Sequence, residues 1–349
     1  MRAAMFSKSK SEKQQFVADF VRRSRAASAI YVYPKNRAKE KIEIVGALSV
    51  PFEDVTKRAN WLRVNALAGP HTALILENPS RYPKITSEKF RHLYRLAMQV
   101  GHRALVDIVP FTLDVQYLYT PFCYLGRDIL GYSHYYAFRE NYYEKGEDGI
   151  VRSAHDLDVL AAKIASVSDV TYDAFLCRDR ATVKCPMTDA EQDEYAARKA
   201  ELFTKYKSPR KIITRLADAA HAFQSRTDAL LALLSELRGH TVIYANLGTY
   251  AKKARAAARN AGVDNGATFT SYQAGVIGEF DNCIYLESPI VKSYFLLDAE
   301  SRLPNHCRVF HFLSDAKVDV YLHGELDHEL RQIDGLAQEL HKLKNGGIE

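Results

Sequence analysis

The chain has 349 residues, 47% of them hydrophobic, and a net charge of +6, a length and composition that predict about two domains with sizeable cores and a mildly basic surface compatible with nucleic acid. No apolar run is long enough to span a bilayer, and the start of the chain is polar and basic rather than signal-like, which excludes a membrane partner and predicts a cytoplasmic protein. The five cysteines (Cys123, Cys177, Cys185, Cys283, Cys307) lie far apart with no Cys-x-x-Cys pair, so neither a zinc site nor a disulfide framework is expected, and the lone His306-Cys307 pair does not make a metal site.

Residues 1–12 are serine-rich and basic, Ser7-Lys8-Ser9-Lys10-Ser11-Glu12, and composition alone predicts a disordered start. A helix is expected over Lys13–Arg25, with Phe16, Val17 and Phe20 as its stripe, then a strand, Ala29–Tyr33, ended by Pro34-Lys35-Asn36. Ile42–Val45 has the composition of a further strand, and a short helix follows near Asp54–Ala66. Thr72–Leu76 has the length of a buried strand and is broken by Glu77-Asn78-Pro79-Ser80. A helix over Glu88–Val100, stopped at Gly101, leads to Ala104-Leu105-Val106 and then Asp107-Ile108-Val109-Pro110. Strand, polar loop, helix, strand is a βαβ unit and predicts a parallel sheet. Functional groups collect past the C-terminal ends of such strands, which puts Glu77 and Asp107 on the working edge.

After Pro110 the chain turns aromatic, from Tyr117 to Tyr143. The expectation is a helical insertion over about 111–165 with a tyrosine-lined core; the competing use, base stacking by tyrosines beside Arg127 and Arg139, remains open at this point. A polar turn, Lys145–Gly149, and a helix, Leu157–Ala165, precede an irregular stretch, with a domain junction at about 175–186.

The second half begins with a short strand, then Thr188 followed three residues on by Glu191, a capping box. Helices are expected over Ala190–Tyr206 and, as one long element, Ile212–Leu237. Strands follow at 241–245, 268–270, 283–287 and 309–313, with an amphipathic helix over Leu247–Asn260 and a closing helix over Asp327–Leu343.

Several of these segments resemble one family. Leu74-Ile75-Leu76-Glu77-Asn78-Pro79-Ser80-Arg81-Tyr82 resembles the Walker B box of superfamily-two helicases of the Swi/Snf (DEAD/DEAH-like) type, including the compact forms that phages encode. Val106–Pro110 sits where that family has Leu-Thr-Gly-Thr-Pro, and Tyr117–Leu125 is similar to its Asp-Leu-Tyr-x-x-Phe-x-Phe-Leu helix. Val183–Tyr195 is similar to the passage into the second lobe, and Thr268–Phe280 to the loop with Gly-x-x-Gly. Asp298–Asn305 stands at the family's Gln-x-x-Gly-Arg-x-x-Arg box, with Arg302 matching the first arginine and Asn305 in place of the second.

The resemblance implies an α/β fold of two RecA-like parallel-sheet lobes, the P-loop NTPase helicase core, over 1–175 and 176–349. It implies an N-terminal lobe that is truncated or degenerate, its first strand missing or reduced to Ala3–Phe6. It implies a vestigial nucleotide site at Lys10, Ser11, Glu77, Asn78 and Arg302, with ATP and magnesium as its ligands, and DNA contacts at Arg37, Lys252, Lys253, Arg255, Gly275 and Gly278. Turnover in this machinery needs a glycine-rich phosphate loop, a magnesium-holding Asp, a water-positioning Glu and an arginine finger. Serines stand for the glycines, Glu77 for the Asp, Asn78 for the Glu and Asn305 for the finger. No catalytic residue and no metal ligand is therefore assigned. The expected function is DNA binding or scaffolding among replication or recombination proteins in phage or prophage DNA metabolism, without ATP turnover. The alternatives are an ATP-dependent helicase or translocase that is weak or needs a partner, and a decoy or inhibitor that binds protein.

Overall fold

The apolar runs fall into two all-parallel sheets. The computed structural model describes residues 1–7, 9–38, 41–82, 85–108, 116–145, 151–170, 180–245, 248–271, 276, 278–287 and 293–344. Val109-Pro110, the 146–149 part of the polar turn, residues 175–179 of the junction, Gly275 and the tail from Asn345 lie outside them. The chain divides into one unit of Met1–Phe175 with Arg331–Glu349 and a second of Leu176–Leu330.

The first unit begins β1 (Arg2–Phe6), α1 (Lys10–Ser24), β2 (Ser28–Tyr33), β3 (Leu48–Pro51), α2 (Arg58–Leu67), β4 (Thr72–Glu77), α3 (Glu88–Gln99) and β5 (His102–Asp107). Its sheet order is β3-β2-β4-β5-β1, closed at the far edge by β8 (Ser168–Val170), with every pairing parallel. Strand β4 is buried at all six positions, as a parallel strand covered on both faces must be. Helix α3 starts where the Ser87 hydroxyl accepts the Phe90 amide at 3.1 Å, and it buries Phe90, Leu93, Leu96 and Ala97.

Three expectations change here. The start of the chain is ordered: the short first segment is β1, near the far edge of the sheet between β5 and β8, and Ser9 caps α1. Ile42–Val45 is not a strand, because its backbone groups are taken by side chains. Ile42 N donates to the Tyr31 hydroxyl at 2.9 Å, and Gln14 bonds both Glu43 N and Glu43 O. The strand is β3, which begins at Leu48. At the opposite edge, β8 lies where the sequence shows only irregular chain.

The insertion holds α4 (Gln116–Leu125), α5 (Arg127–Leu130), α6 (Tyr135–Tyr142), a hairpin of β6 (Tyr143–Lys145) and β7 (Val151–Ala154), and α7 (Leu157–Ala165). Phe138 is its centre, with ring centroids of Tyr119, Tyr132 and Tyr142 at 5.3, 5.6 and 5.1 Å. Tyr119, Tyr124, Phe138 and Tyr142 are buried, the geometry of a packed aromatic core. Arg127 is spent on the Tyr94 ring at 4.8 Å and the Ser133 carbonyl at 3.0 Å, which leaves little of it for a base.

The second unit runs β9 (Arg180–Lys184), α8 (Asp189–Lys205), α9 (Pro209–His221), α10 (Gln224–Glu236), β10 (Thr241–Tyr244), α11 (Gly248–Asn260), β11 (Thr268–Thr270), β12 (Asn282–Tyr285), α12 (Ser293–Glu300), β13 (Arg308–Leu313) and the start of α13 (Lys317–Lys344), whose residues from Arg331 belong to the first unit. The sheet order is β11-β10-β12-β13-β9, all parallel. The Thr188/Glu191 capping box forms as the spacing predicts. The long helix expected after it is two, α9 and α10, broken at Ala222-Phe223. Phe223 turns into the α8–α9 core, and the Glu191 carboxylate accepts the Ser225 amide at 2.9 Å, giving the second helix its own start. Helix α13 begins ten residues earlier than expected, because Asp319 in its first turn accepts both the amide and the hydroxyl of Ser314. Among the described residues no helix is long and apolar enough to cross a membrane.

Candidate nucleotide and nucleic-acid sites

The C-terminal ends of β1, β4 and β5 meet at one edge of the first sheet. The register sets Phe6 beside Asp107 and Glu77 beside Val106. The chain leaving β1 passes over β5 and β4 to reach β2, whereas the chain leaving β5 goes the other way, past β1 to β8. Opposed crossovers open a crevice at such strand ends. Asp107 is held there by Ser80 N at 3.0 Å and Ile108 N at 2.7 Å, and its own carbonyl accepts Ser7 N at 3.0 Å. Burial pushes its carboxyl up to about 6, although these amides and the nearby Lys13 charge pull the other way.

Lys10 and Ser11 are exposed at the start of α1. The cation that points inward is Lys13, only 2% exposed and close enough to Asp107 to act on it. Sequence reasoning missed it, yet the signal was available: the buried positions of α1 are Lys13, Val17, Phe20 and Ser24, so Lys13 lies on the apolar stripe. The loop before α1 closes on itself. The Ser7 hydroxyl donates to the Glu12 carboxylate and accepts Ser9 N at 2.9 Å; the Ser9 hydroxyl accepts Glu12 N at 3.3 Å.

Glu77 and Asn78 are both buried at the end of β4. Tyr31 donates its hydroxyl to Glu77. Asn78 adopts a left-handed backbone (φ 49°), and neither polar atom of its side chain has a hydrogen-bond partner among the described residues. A buried amide with unpaired polar atoms leaves this corner of the sheet edge short of hydrogen-bond partners.

In the second unit Arg302 is half-buried, with its side chain turned inward, and donates to Asp298, one turn back, at 3.1 Å. Arg180 grips Glu300 through two bonds of 2.9 and 2.8 Å. The arginines of this region thus serve the local fold, and Asn305 is exposed in the turn that follows. Of the expected DNA contacts, Lys252, Lys253 and Arg255 are exposed on α11, opposite the buried stripe Tyr250, Ala254 and Ala258. Arg259 continues that outward face and pairs with Asp264 at 3.3 Å. Arg37 is buried in the first unit, in a short turn after β2, so it does not present a cation to solvent. Gly278 lies against the Phe280 ring, which a Cβ would meet at 3.1 Å.

Sequence reasoning also missed a buried charged cluster. His221, Arg226, Glu287 and Asp319 are all essentially unexposed. Arg226 donates to the Leu286 and Phe312 carbonyls and to Asp319; His221 lies 3.1 Å from Asp319 and 3.0 Å from Glu287. The cluster ties α9, α10 and α13 to the ends of β12 and β13. Among the described residues no group of three or more His, Cys, Asp or Glu is placed to hold a metal.

Compared by sequence, the chain matches no known family and no curated protein. Among solved structures it is similar to the Sulfolobus solfataricus SWI2/SNF2 ATPase core in complex with dsDNA, at 11% identity and a TM-score of 0.43, covering 98% of this chain and 90% of that one. It is also similar to the Pyrococcus furiosus Hef helicase domain, at 7% identity and a TM-score of 0.49, covering 93% and 94%. The likeness is one of chain path.

Proposed function

We propose that the chain is a helicase-like DNA-binding protein that does not turn over ATP. The observation that carries the reading is the closed loop ahead of α1. A phosphate site at a helix start works by offering free backbone N–H groups to an anion. Here the Ser9 and Glu12 amides are already bound by serine hydroxyls, and the Glu12 carboxylate lies over the same turn. A carboxylate there repels a triphosphate, so the residues present do not fit one. Asn78 takes no proton from water, and Glu77 is engaged by Tyr31.

DNA binding rests on α11. Lys252, Lys253 and Arg255 project from a helix anchored by alanines, which sets three cations on a rigid support. The test is fluorescence anisotropy with duplex and single-stranded oligonucleotides over a salt series. The logarithm of the affinity for duplex falls linearly with log salt, and replacing all three residues by Ala lowers the slope by about 2.7. If neither oligonucleotide binds at low salt, the protein-binding decoy reading replaces this one.

An ATP-dependent helicase or translocase is the second reading, and Lys13 is the observation that favours it. A buried lysine near a buried Asp at the crevice is the pair of charges that a nucleotide and its magnesium require.

A further inference from the structure

The second unit leaves an apolar groove between α8, α9 and the first turns of α13. Its cavity measures about 480 Å³. The floor is made by Tyr195, Ile212, Leu216 and Val318, which are the outer edge of the core these helices share. The lip is apolar as well and open to solvent: Phe203 is 61% exposed and Tyr321 39%. Single exposed aromatics are ordinary, but two lining one concave apolar site mark an interaction surface.

Lysines surround it. Lys199, Lys207 and Lys317 line the cavity, and none of them forms an ion pair among the described residues. Neighbouring cations differ: Lys205 shares Glu201 at 4.0 Å and Arg215 faces Asp218 at 3.7 Å. Lys211, over the Tyr206 ring at 6.0 Å, adds a further cation beside the groove, so its rim is net positive.

We propose that this groove docks an acidic amphipathic helix of a protein partner, its bulky apolar side chains seated on the floor and its carboxylates facing the three lysines. The charge selects the partner. A helix in a groove is held by apolar anchors at helical spacing, and its flanking charges set which helix is accepted. Nucleic acid would satisfy the lysines through phosphate yet leave Phe203, Tyr321 and the floor in water. The site is separate from the exposed cations of α11, so it stands whether or not the chain binds DNA.

The probe is a fluorescein-labelled helical peptide with leucines on one face and glutamates on the other, titrated into the full chain. We expect saturable binding that weakens with salt without vanishing. The same peptide with lysines for glutamates, or alanines for leucines, should not bind. Phe203→Ala, at an exposed position that leaves the melting temperature unchanged, should weaken binding roughly tenfold, and so should the Lys207→Glu, Lys317→Glu double variant. Three results would overturn the proposal: no saturable binding of the acidic peptide, equal binding of the lysine peptide, or peptide affinity indifferent to both variants. If instead single-stranded DNA binds and loses affinity in the two variants while the peptide does not, the groove is part of a nucleic-acid surface and the proposal also fails.

Discussion

Replacing Arg226 by methionine tests the buried cluster of the second unit most sharply. The guanidinium is unexposed and donates to Asp319 and to two strand-end carbonyls, Leu286 and Phe312. Methionine fills much of the space but carries no donor. Asp319 would keep its bonds from Ser314 N at 2.7 Å, Ser314 Oγ at 3.0 Å and His221 at 3.1 Å, so it stays solvated by the fold while losing its full cation. Breaking a buried pair by removing one partner costs about 3–5 kcal/mol, and the two orphaned carbonyls push the figure towards the upper end. Against a typical stability of about 5–15 kcal/mol, the second unit loses a large share. Equilibrium urea unfolding reads this as a midpoint about 2 M lower, at a slope of about 2 kcal/mol/M. Adding Asp319→Leu should restore part of the loss, because a buried pair exchanged whole for apolar groups is often tolerated. A drop below about 1 kcal/mol in Arg226→Met, or a double variant worse than the single, would refute the argument that an uncompensated charge is what destabilises the unit.

Two further predictions concern pH. Asp107 is held at about 6 in the fold against 3.8 when free, so the folded chain binds this proton more tightly; its contribution is greatest below the free value and is lost as pH rises to about 6, a difference of about 3 kcal/mol. A carboxyl NMR titration should find that midpoint, and Lys13→Met should move it higher; a midpoint near 4 would contradict the burial argument. For His221, burial pulls the imidazole down but the bonds to Asp319 and Glu287 more than offset it, leaving it above the ordinary histidine value. Its stabilisation is therefore full below 6.5 and is lost as pH rises through the folded value, so the second unit should weaken towards alkaline pH in the parent chain and not in His221→Gln, as read by thermal melts at several pH values.

Much of the fold was legible because its strands are short, apolar and separated by polar breaks. The apolar runs that became Thr72–Glu77 and His102–Asp107, with a helix between them, reveal the parallel unit by their order. The failures have two physical patterns. Ile42–Val45 has strand composition, but side chains from Gln14 and Tyr31 take its backbone bonds, and residue type does not show that competition. Charges on apolar stripes were the other blind spot. Lys13 beside Val17 and Phe20, and Arg226 beside Leu230 and Leu234, lie on the inward face of their helices, and both are buried. Helical phase alone could have flagged them, whereas their partners are distant in sequence and appear only in the fold. Arg37 shows the converse: a cation after a strand looks solvent-facing and is not. The candidate site was legible at Glu77 and Asp107, but its inward lysine is Lys13 rather than Lys10.

The Ser7 and Ser9 hydroxyls occupy the Ser9 and Glu12 amides, and the Glu12 carboxylate accepts from Ser7 at the same helix start, where a triphosphate would have to sit. The most direct measurement is phosphate release at saturating ATP and magnesium, with and without duplex DNA, for the parent chain, Lys10→Ala and Lys13→Met. Background release is expected in every case, with no stimulation by DNA. A DNA-stimulated rate in the parent chain that disappears in either lysine variant would contradict it and establish the helicase or translocase reading in its place.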